Sequence, residues 1–221
     1  MTRQIAAVIF DLDGVLVDTE IWWDDVRRAF AVDHGRRWTL EDRAAVMGAN
    51  SREWSATMAS RLGLPMAPAE IERAVVEAMV HRWDVAPLVP LIPHADHAVR
   101  RLAGRWPLAL ASSAHPAVIG AALHAIGLAA AFRVVVSSDD VARGKPAPDV
   151  YLEAARRLDV EPGLCVVVED SLNGVLAGRA AGMTVVLIPN ETIPPAAGAR
   201  EAANVVLDDL RQLDPRRIAL A

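Results

Sequence analysis

The stretch IAAVIFDLDGVLVDTE, residues 5–20, decides how the rest of the chain is read. Its first six residues are apolar, rich in Ile and Val, and do not alternate with polar ones. A run of that length and kind is a strand covered on both faces, which is the signature of a parallel sheet. The run stops on Asp11, Asp13 and Gly14, so two carboxylates and a flexible link sit at the strand's carboxyl end.

Working outward, the same pattern recurs in LALA (108–111), RVVVS (133–137), LCVVV (164–168), TVVLI (184–188) and NVVL (204–207). From about residue 93 onward, helical segments separate these runs: HADHAVRRLAG, PAVIGAALHAIG, APDVYLEAARRL and SLNGVLAGRAAG. Gly104, Gly127 and Gly182 stand where helices should stop. Strands alternating with helices predict right-handed βαβ crossovers and an α/β fold with a doubly wound, Rossmann-like parallel sheet. Residues 18–86 break the rhythm, with four helical segments and no strand. The expectation is a catalytic core from 1–17 and 87–221 carrying an inserted all-helical cap at 18–86. The stretch PPAAGA (194–199) reads as a mobile loop.

Composition excludes several function classes. Of 221 residues, 53% are hydrophobic and 23% charged, enough for a buried core and unlike a disordered chain. The net charge of −5 argues against a nucleic-acid binder. The arginine pairs Arg36–Arg37, Arg100–Arg101 and Arg216–Arg217 read as solvated faces. The single cysteine, Cys165, excludes an internal disulfide and reads as a small core residue. The apolar run before Asp11 is too short for a signal peptide, and no stretch approaches the ~20 apolar residues of a membrane span. The expectation is a cytoplasmic protein, a monomer or weak homo-oligomer, with no nucleic-acid or membrane partner.

In an open parallel sheet, ligands bind beyond the carboxyl ends of the strands. Those ends carry Asp11, Asp13 and Gly14, then Ser112 and Ser113, then Glu169 and Asp170. Lys145, the one lysine among 22 arginines, follows RVVVS. Four carboxylates and one lysine leave three uncompensated negative charges, which like-charge repulsion makes costly. A divalent cation and one protonated Asp bring the site close to neutral. Hard oxygen ligands without His or Cys favour Mg²⁺. Mg²⁺ with a lysine and a serine hydroxyl suits a phosphoryl group. A carboxylate beside the metal can then be a nucleophile, and a second one two residues on can exchange protons. Gly14 lets the backbone approach the phosphoryl oxygens closely.

With these residues in view, the sequence resembles the haloacid dehalogenase superfamily, in its phosphatase and phosphomutase branch with a small helical cap (β-phosphoglucomutase-like). The resemblance rests on DLDGVLVDTE, ASS, GKPAPDVY and VVEDSLNGVLAGRAAGM in that order. It implies that Asp11 is the nucleophile and that Asp13 is the general acid/base, with its backbone carbonyl on Mg²⁺. It further implies that Ser112 bonds the phosphoryl group and Lys145 holds nucleophile and phosphate together. Asp170 would ligate the metal directly, and Glu169 directly or through water. Asp13 argues against dehalogenation, and the absence of a cap lysine argues against the phosphonate-cleaving chemistry of the family. The sugar-phosphate mutases carry a histidine in the first cap helix, near EIWWDD, where this chain has none. The expected activity is therefore Mg²⁺-dependent hydrolysis of a small phosphorylated metabolite, with a mutase as the enzymatic alternative and an idle binding module as the non-enzymatic one.

For the cap, the reading is less direct. A stripe through Trp22, Val26, Ala29 and Phe30 would pack the cap interior and leave Trp23 facing substrate, while a stripe through Trp23, Val26 and Phe30 fits nearly as well. Glu20 is placed to bond a substrate hydroxyl or to be a solvated helix-start acid. Arg52, in the GANSREW loop, is placed to reach a distal substrate group, and His115 to line the cleft. His34, His81, His94, His97 and His124 show no ligand spacing.

Overall fold

A computed structural model describes residues 5–214; the Arg216–Arg217 pair lies outside them. Six strands form one sheet: β1 (Ala7–Phe10), β2 (Leu108–Ser112), β3 (Val134–Ser137), β4 (Cys165–Glu169), β5 (Thr184–Leu187) and β6 (Val205–Val206). All paired neighbours are parallel, in the order β3-β2-β1-β4-β5-β6. Each apolar run in the sequence coincides with one strand; four strands are trimmed within their runs, while β2 and β4 each extend one residue further, to Ser112 and Glu169.

The lack of alternation in these runs has a direct cause. Successive side chains of a strand point to opposite faces, and here both faces are covered. Val8, Phe10, Leu108, Leu110, Val166 and Val168 pack on one face with α5 (Ala95–Ala103) and α6 (Pro116–Ala125). Ala7, Ile9, Ala109, Ala111, Cys165 and Val167 pack on the other with α7 (Asp149–Leu158) and α8 (Leu172–Ala180). A short helix, α9 (Ala199–Ala202), lies on this second face. Cys165 is buried and without a disulfide partner, and burial pushes its thiol up to about 11, as befits a core residue.

Between β1 and β2 the chain forms α1 (Glu20–Asp33), α2 (Leu40–Val46), α3 (Ser51–Leu62) and α4 (Pro68–Val85). Thr39 opens α2 and Asn50 opens α3, each with its side chain on the third backbone N–H of the helix and an acid reaching back. Val26, Phe30, Trp54, Met58, Ile71, Val75, Met79 and Trp83 close an interior between these helices. The buried face of α1 runs through Trp23, Val26, Arg27 and Phe30, while Ala29 is exposed. That corrects the stripe drawn through Trp22 and Ala29: Trp22 is half-buried, edge-on to Trp83 at 4.9 Å. The two chain crossings between the helices and the sheet lie side by side. Ile92 N–H donates to Leu16 O at 2.9 Å and Asp18 N–H to Pro90 O at 2.8 Å. No helix among the described residues is long and apolar enough to cross a membrane.

Candidate active site

The strand order reverses direction at β1 and β4, and the crevice beyond their carboxyl ends is where an open α/β sheet binds ligands. Asp11 follows β1, Ser112 ends β2 and Glu169 ends β4, so the sheet itself brings these side chains together. Asp11 and Ser112 open onto a cavity of about 280 Å³, lined also by Asp13, Gly14, Ser113, Lys145 and Asp170 and, from the helical insert, by Glu20, Trp23, Arg27 and Trp54, while Glu169 is fully buried and outside the lining.

At the floor of the cavity Lys145 Nζ donates to Asp11 Oδ1 at 2.7 Å, Glu169 Oε1 at 2.8 Å and the Ala111 carbonyl at 3.1 Å. The ammonium also stands 4.9 Å from the centre of the Tyr151 ring. Tyr151 donates its hydroxyl to the same Glu169 oxygen at 2.7 Å. Glu169 Oε2 accepts from the backbone N–H of Asp170 and Ser171, both at 3.0 Å, and from Ser171 Oγ at 2.9 Å. Fully buried, Glu169 has every oxygen engaged. Burial opposes its charge, yet Lys145 and these donors hold its carboxyl below the usual range. Burial likewise opposes the charge of Lys145, but Asp11 and Glu169 outweigh it and raise the ammonium well above its ordinary pKa.

The other carboxylates are driven the opposite way. Burial, with Glu169 and Asp13 adding to it, lifts Asp11 to about 7 despite Lys145. Burial and the charges of Glu169 and Asp11 raise Asp170 well above the usual carboxylate range. Its carboxylate accepts no hydrogen bond from any described residue. Burial raises Asp13 too, offset in part by hydrogen bonds from the Thr19 hydroxyl and the Trp23 indole.

Two glycines exist to make this packing possible. A Cβ on Gly174 would stand 1.6 Å from Glu169 Oε1. A Cβ on Gly14 would stand 2.0 Å from Asp170 Oδ2, and Gly14 has φ +81°. The Gly14 turn therefore brings the backbone against Asp170.

Ligand atoms of Asp11, Glu169 and Asp170 lie within 4.8 Å of one another. With the oxygens of Glu169 engaged, Asp11 and Asp170 are the carboxylates open to a cation. Two buried, mutually repelling carboxylates with no donor for one of them fit a hard divalent ion. Ser112 is buried at the cavity edge, where its Oγ accepts the Ala114 N–H at 3.0 Å; its own hydrogen has no acceptor among the described residues.

Two sequence candidates lie elsewhere. The Arg52 guanidinium donates to the Asp139 carbonyl on the sheet domain, and Arg52 does not line the cavity. His115 also stays outside it, where Nδ1 accepts the Ala117 N–H at 3.2 Å and caps α6. Glu72, His115 and Asp139 form a second group with metal-ligand spacing. Because His115 Nδ1 accepts from backbone, its hydrogen sits on Nε2, 3.9 Å from Glu72 Oε1, leaving that nitrogen no lone pair for a metal.

Conversely, sequence reasoning did not single out Thr19, Tyr151, Arg27, Trp54 or the segment Pro194–Ala196, which also lines the cavity. The DTE and GKPAPDVY motifs contain Thr19 and Tyr151, but nothing in the sequence marks Arg27.

A family profile described as haloacid dehalogenase-like hydrolase matches residues 5–182. The bifunctional riboflavin kinase/FMN phosphatase of Arabidopsis thaliana is 32% identical over 212 residues, 95% of this chain; the chain spans 55% of that relative's length. Hexitol phosphatase B of Escherichia coli is 31% identical over 198 residues, covering 85% of each chain. The crystal structure of CbbY from Rhodobacter sphaeroides in complex with phosphate superposes with a TM-score of 0.81 at 28% identity, covering 95% of this chain and 96% of that one. The sheet, its acidic crevice and these similarities together establish that the chain belongs to the haloacid dehalogenase-like hydrolases and is a phosphatase of that family.

Proposed function

We propose that this phosphatase hydrolyses a small phosphomonoester through a phospho-Asp11 intermediate, with Mg²⁺ at Asp11, Asp170 and the Asp13 backbone carbonyl. The observation that carries the reading is Lys145, which pins one oxygen of Asp11 at 2.7 Å and leaves the other facing the cavity. When bound, Mg²⁺ would neutralise phosphoryl and carboxylate charge. Asp11 Oδ2 attacks phosphorus as the ester P–O bond breaks. Asp13, whose pKa burial raises, gives its proton to the leaving oxygen. It then takes a proton from the water that attacks phospho-Asp11, and phosphate leaves. Lys145 and the free hydrogen of Ser112 hold the transferring oxygens, and Glu169 acts at one remove by fixing Lys145 and the Asp170 backbone.

Residues 18–86 would serve as the cap, with Glu20 and Trp23 on the substrate side and Gly14 and Ser113 on the phosphate side. Its closure would shut out bulk water. Trp23 supports hydrolysis over a mutase reaction: its indole bonds Asp13 but cannot relay a proton as a histidine would. The phosphate-bound neighbour and the sugar-phosphate substrates in the names of similar phosphatases support a small phosphorylated metabolite. A phosphate-release screen over metabolites with Mg²⁺ tests this. Free phosphate from a subset is expected; isomerised sugar phosphate without free phosphate would indicate a mutase instead.

A further inference from the structure

The cavity wall supplied by the helical insert carries a buried cation, Arg27, without a direct ion-pair partner among the described residues. Arg27 is 6% exposed, and its guanidinium lies against the rings of both Trp23 and Trp54, 4.8 and 5.3 Å from their centres. The flat cation and the ring faces suit one another. Its Nε is sealed from solvent without a hydrogen-bond partner. Among the described residues no carboxylate stands within ion-pair distance of it and no carbonyl accepts from it. Buried arginines are ordinarily paired, because an uncompensated buried charge is expensive.

The neighbourhood sharpens the point. Arg43 lies close enough that its charge works against that of Arg27, and the Nε of Arg43 is also buried without a partner. Glu20 lines the same cavity but makes no ion pair with either arginine. Glu20, Asp13 and Asp24 attract Arg27 from beyond ion-pair distance, so the guanidinium lines the cavity without a direct anionic partner. Arg27 follows Trp23 by four residues, about 6 Å along the helix axis, and the Trp23 indole bonds Asp13.

We propose that Arg27 is a specificity-determining residue that binds a second anionic group of the substrate, a carboxylate or a second phosphate, while the phosphoryl group sits at Asp11. This rests on the phosphatase reading above and narrows it: the substrate is a phosphomonoester whose short carbon skeleton ends in another negative charge. The guanidinium presents its remaining N–H groups to the cavity as a fork, which matches the paired oxygens of either anion. A neutral hydroxyl would leave the buried charge uncompensated. A cavity of about 280 Å³ limits the whole ligand to a small metabolite.

Calorimetric binding to the Asp11→Asn protein tests the subsite without requiring turnover. Phosphoglycolate is compared with hydroxyethyl phosphate, and fructose bisphosphate with fructose monophosphate, so that each pair differs in one anionic group. The anionic member of at least one pair should bind about tenfold or more tightly, the scale of one charge-assisted contact. Adding Arg27→Gln should bring that ratio close to one. Arg27→Lys, which keeps the charge and the long stem, should retain part of the preference and shows whether any loss follows from misfolding. Carboxylate and phosphate sources are separated by which pair discriminates. Equal affinity within both pairs, or a preference that survives Arg27→Gln, would overturn the proposal. Because binding is the readout, a failed subsite stays distinguishable from a failed hydrolase assignment, which the phosphate-release screen judges.

Discussion

Replacing Lys145 by methionine removes one charge and leaves the stem's shape. The ammonium's three contacts, at 2.7, 2.8 and 3.1 Å, disappear together, and both Asp11 and Glu169 become buried carboxylates without a cation. Breaking a buried pair in this way costs about 3–5 kcal/mol. With a urea m-value of roughly 2–3 kcal/mol/M, the unfolding midpoint should fall by about 1–2.5 M. The loss should depend on pH with a definite sign. Asp11, already lifted to about 7, can relieve the deficit by taking a proton, so the loss is greatest at pH 8 and shrinks towards pH 5. Urea unfolding in EDTA at both pH values reads this directly, with phosphate release as the second readout. Lys145→Arg separates charge from shape. Carboxylates and a carbonyl close in on Nζ from three sides, and a guanidinium is too wide for that space without moving Asp11. Arginine should therefore recover part of the stability and little of the activity. Unchanged stability of Lys145→Met at pH 8, or near-normal turnover by Lys145→Arg, would refute the reasoning.

Three further outcomes follow from the same geometry. Gly174→Ala drives a methyl group into Glu169, which has no room to move, and should cost about 3 kcal/mol or more in chemical denaturation; a loss under 1 kcal/mol would show that the carboxylate is less fixed than its five contacts imply. In EDTA, thermal stability should fall from pH 5 to pH 7.5, because Asp11, Asp13 and Asp170 have raised pKa values and the folded chain holds protons that the unfolded one has released. The opposing shifts of Glu169 and Lys145 act below and above that window. Mg²⁺ should therefore raise the melting temperature more at pH 7.5 than at pH 5, and a flat profile would contradict the repulsion argument. Arg52→Ala and His115→Ala should keep kcat/KM within about threefold, since one bonds a backbone carbonyl and the other caps a helix; a loss of a hundredfold in either would return it to the site.

The sheet was legible because each strand is short, apolar on both faces and closed by a polar residue, a pattern that only a doubly covered parallel strand requires. The floor of the site was legible for the same reason, since strand ends place Asp11, Ser112 and Glu169 without help from loops. The cap was harder. Stripes through Trp22 and Trp23 are nearly equal in apolar content, and the choice was made by tertiary contacts: Trp23 reaches Asp13 and Trp54, while Trp22 meets Trp83. Arg27 sits beside Arg28 and reads like half of a solvated pair, yet one is buried and the other exposed. Arg52 was drawn away by the Asp139 carbonyl, 87 residues along the chain, a partner that no local pattern reveals. The engagement of both Glu169 oxygens likewise needed Tyr151 and the turn at Ser171 in place.

The central claim is that Asp11 carries the phosphoryl group. An acid-quenched single turnover of p-nitrophenyl phosphate by the Asp13→Asn protein, with Mg²⁺ present, tests it most directly. The leaving group departs without needing the proton of Asp13, whereas water attack on the intermediate does need that carboxylate, so the intermediate should accumulate. Peptide mass spectrometry should then find one phosphoryl group on Asp11, and none when Asp11 is changed to Asn. Release of p-nitrophenol with no phosphorylated peptide, or a phosphoryl group on a different residue, would contradict the account.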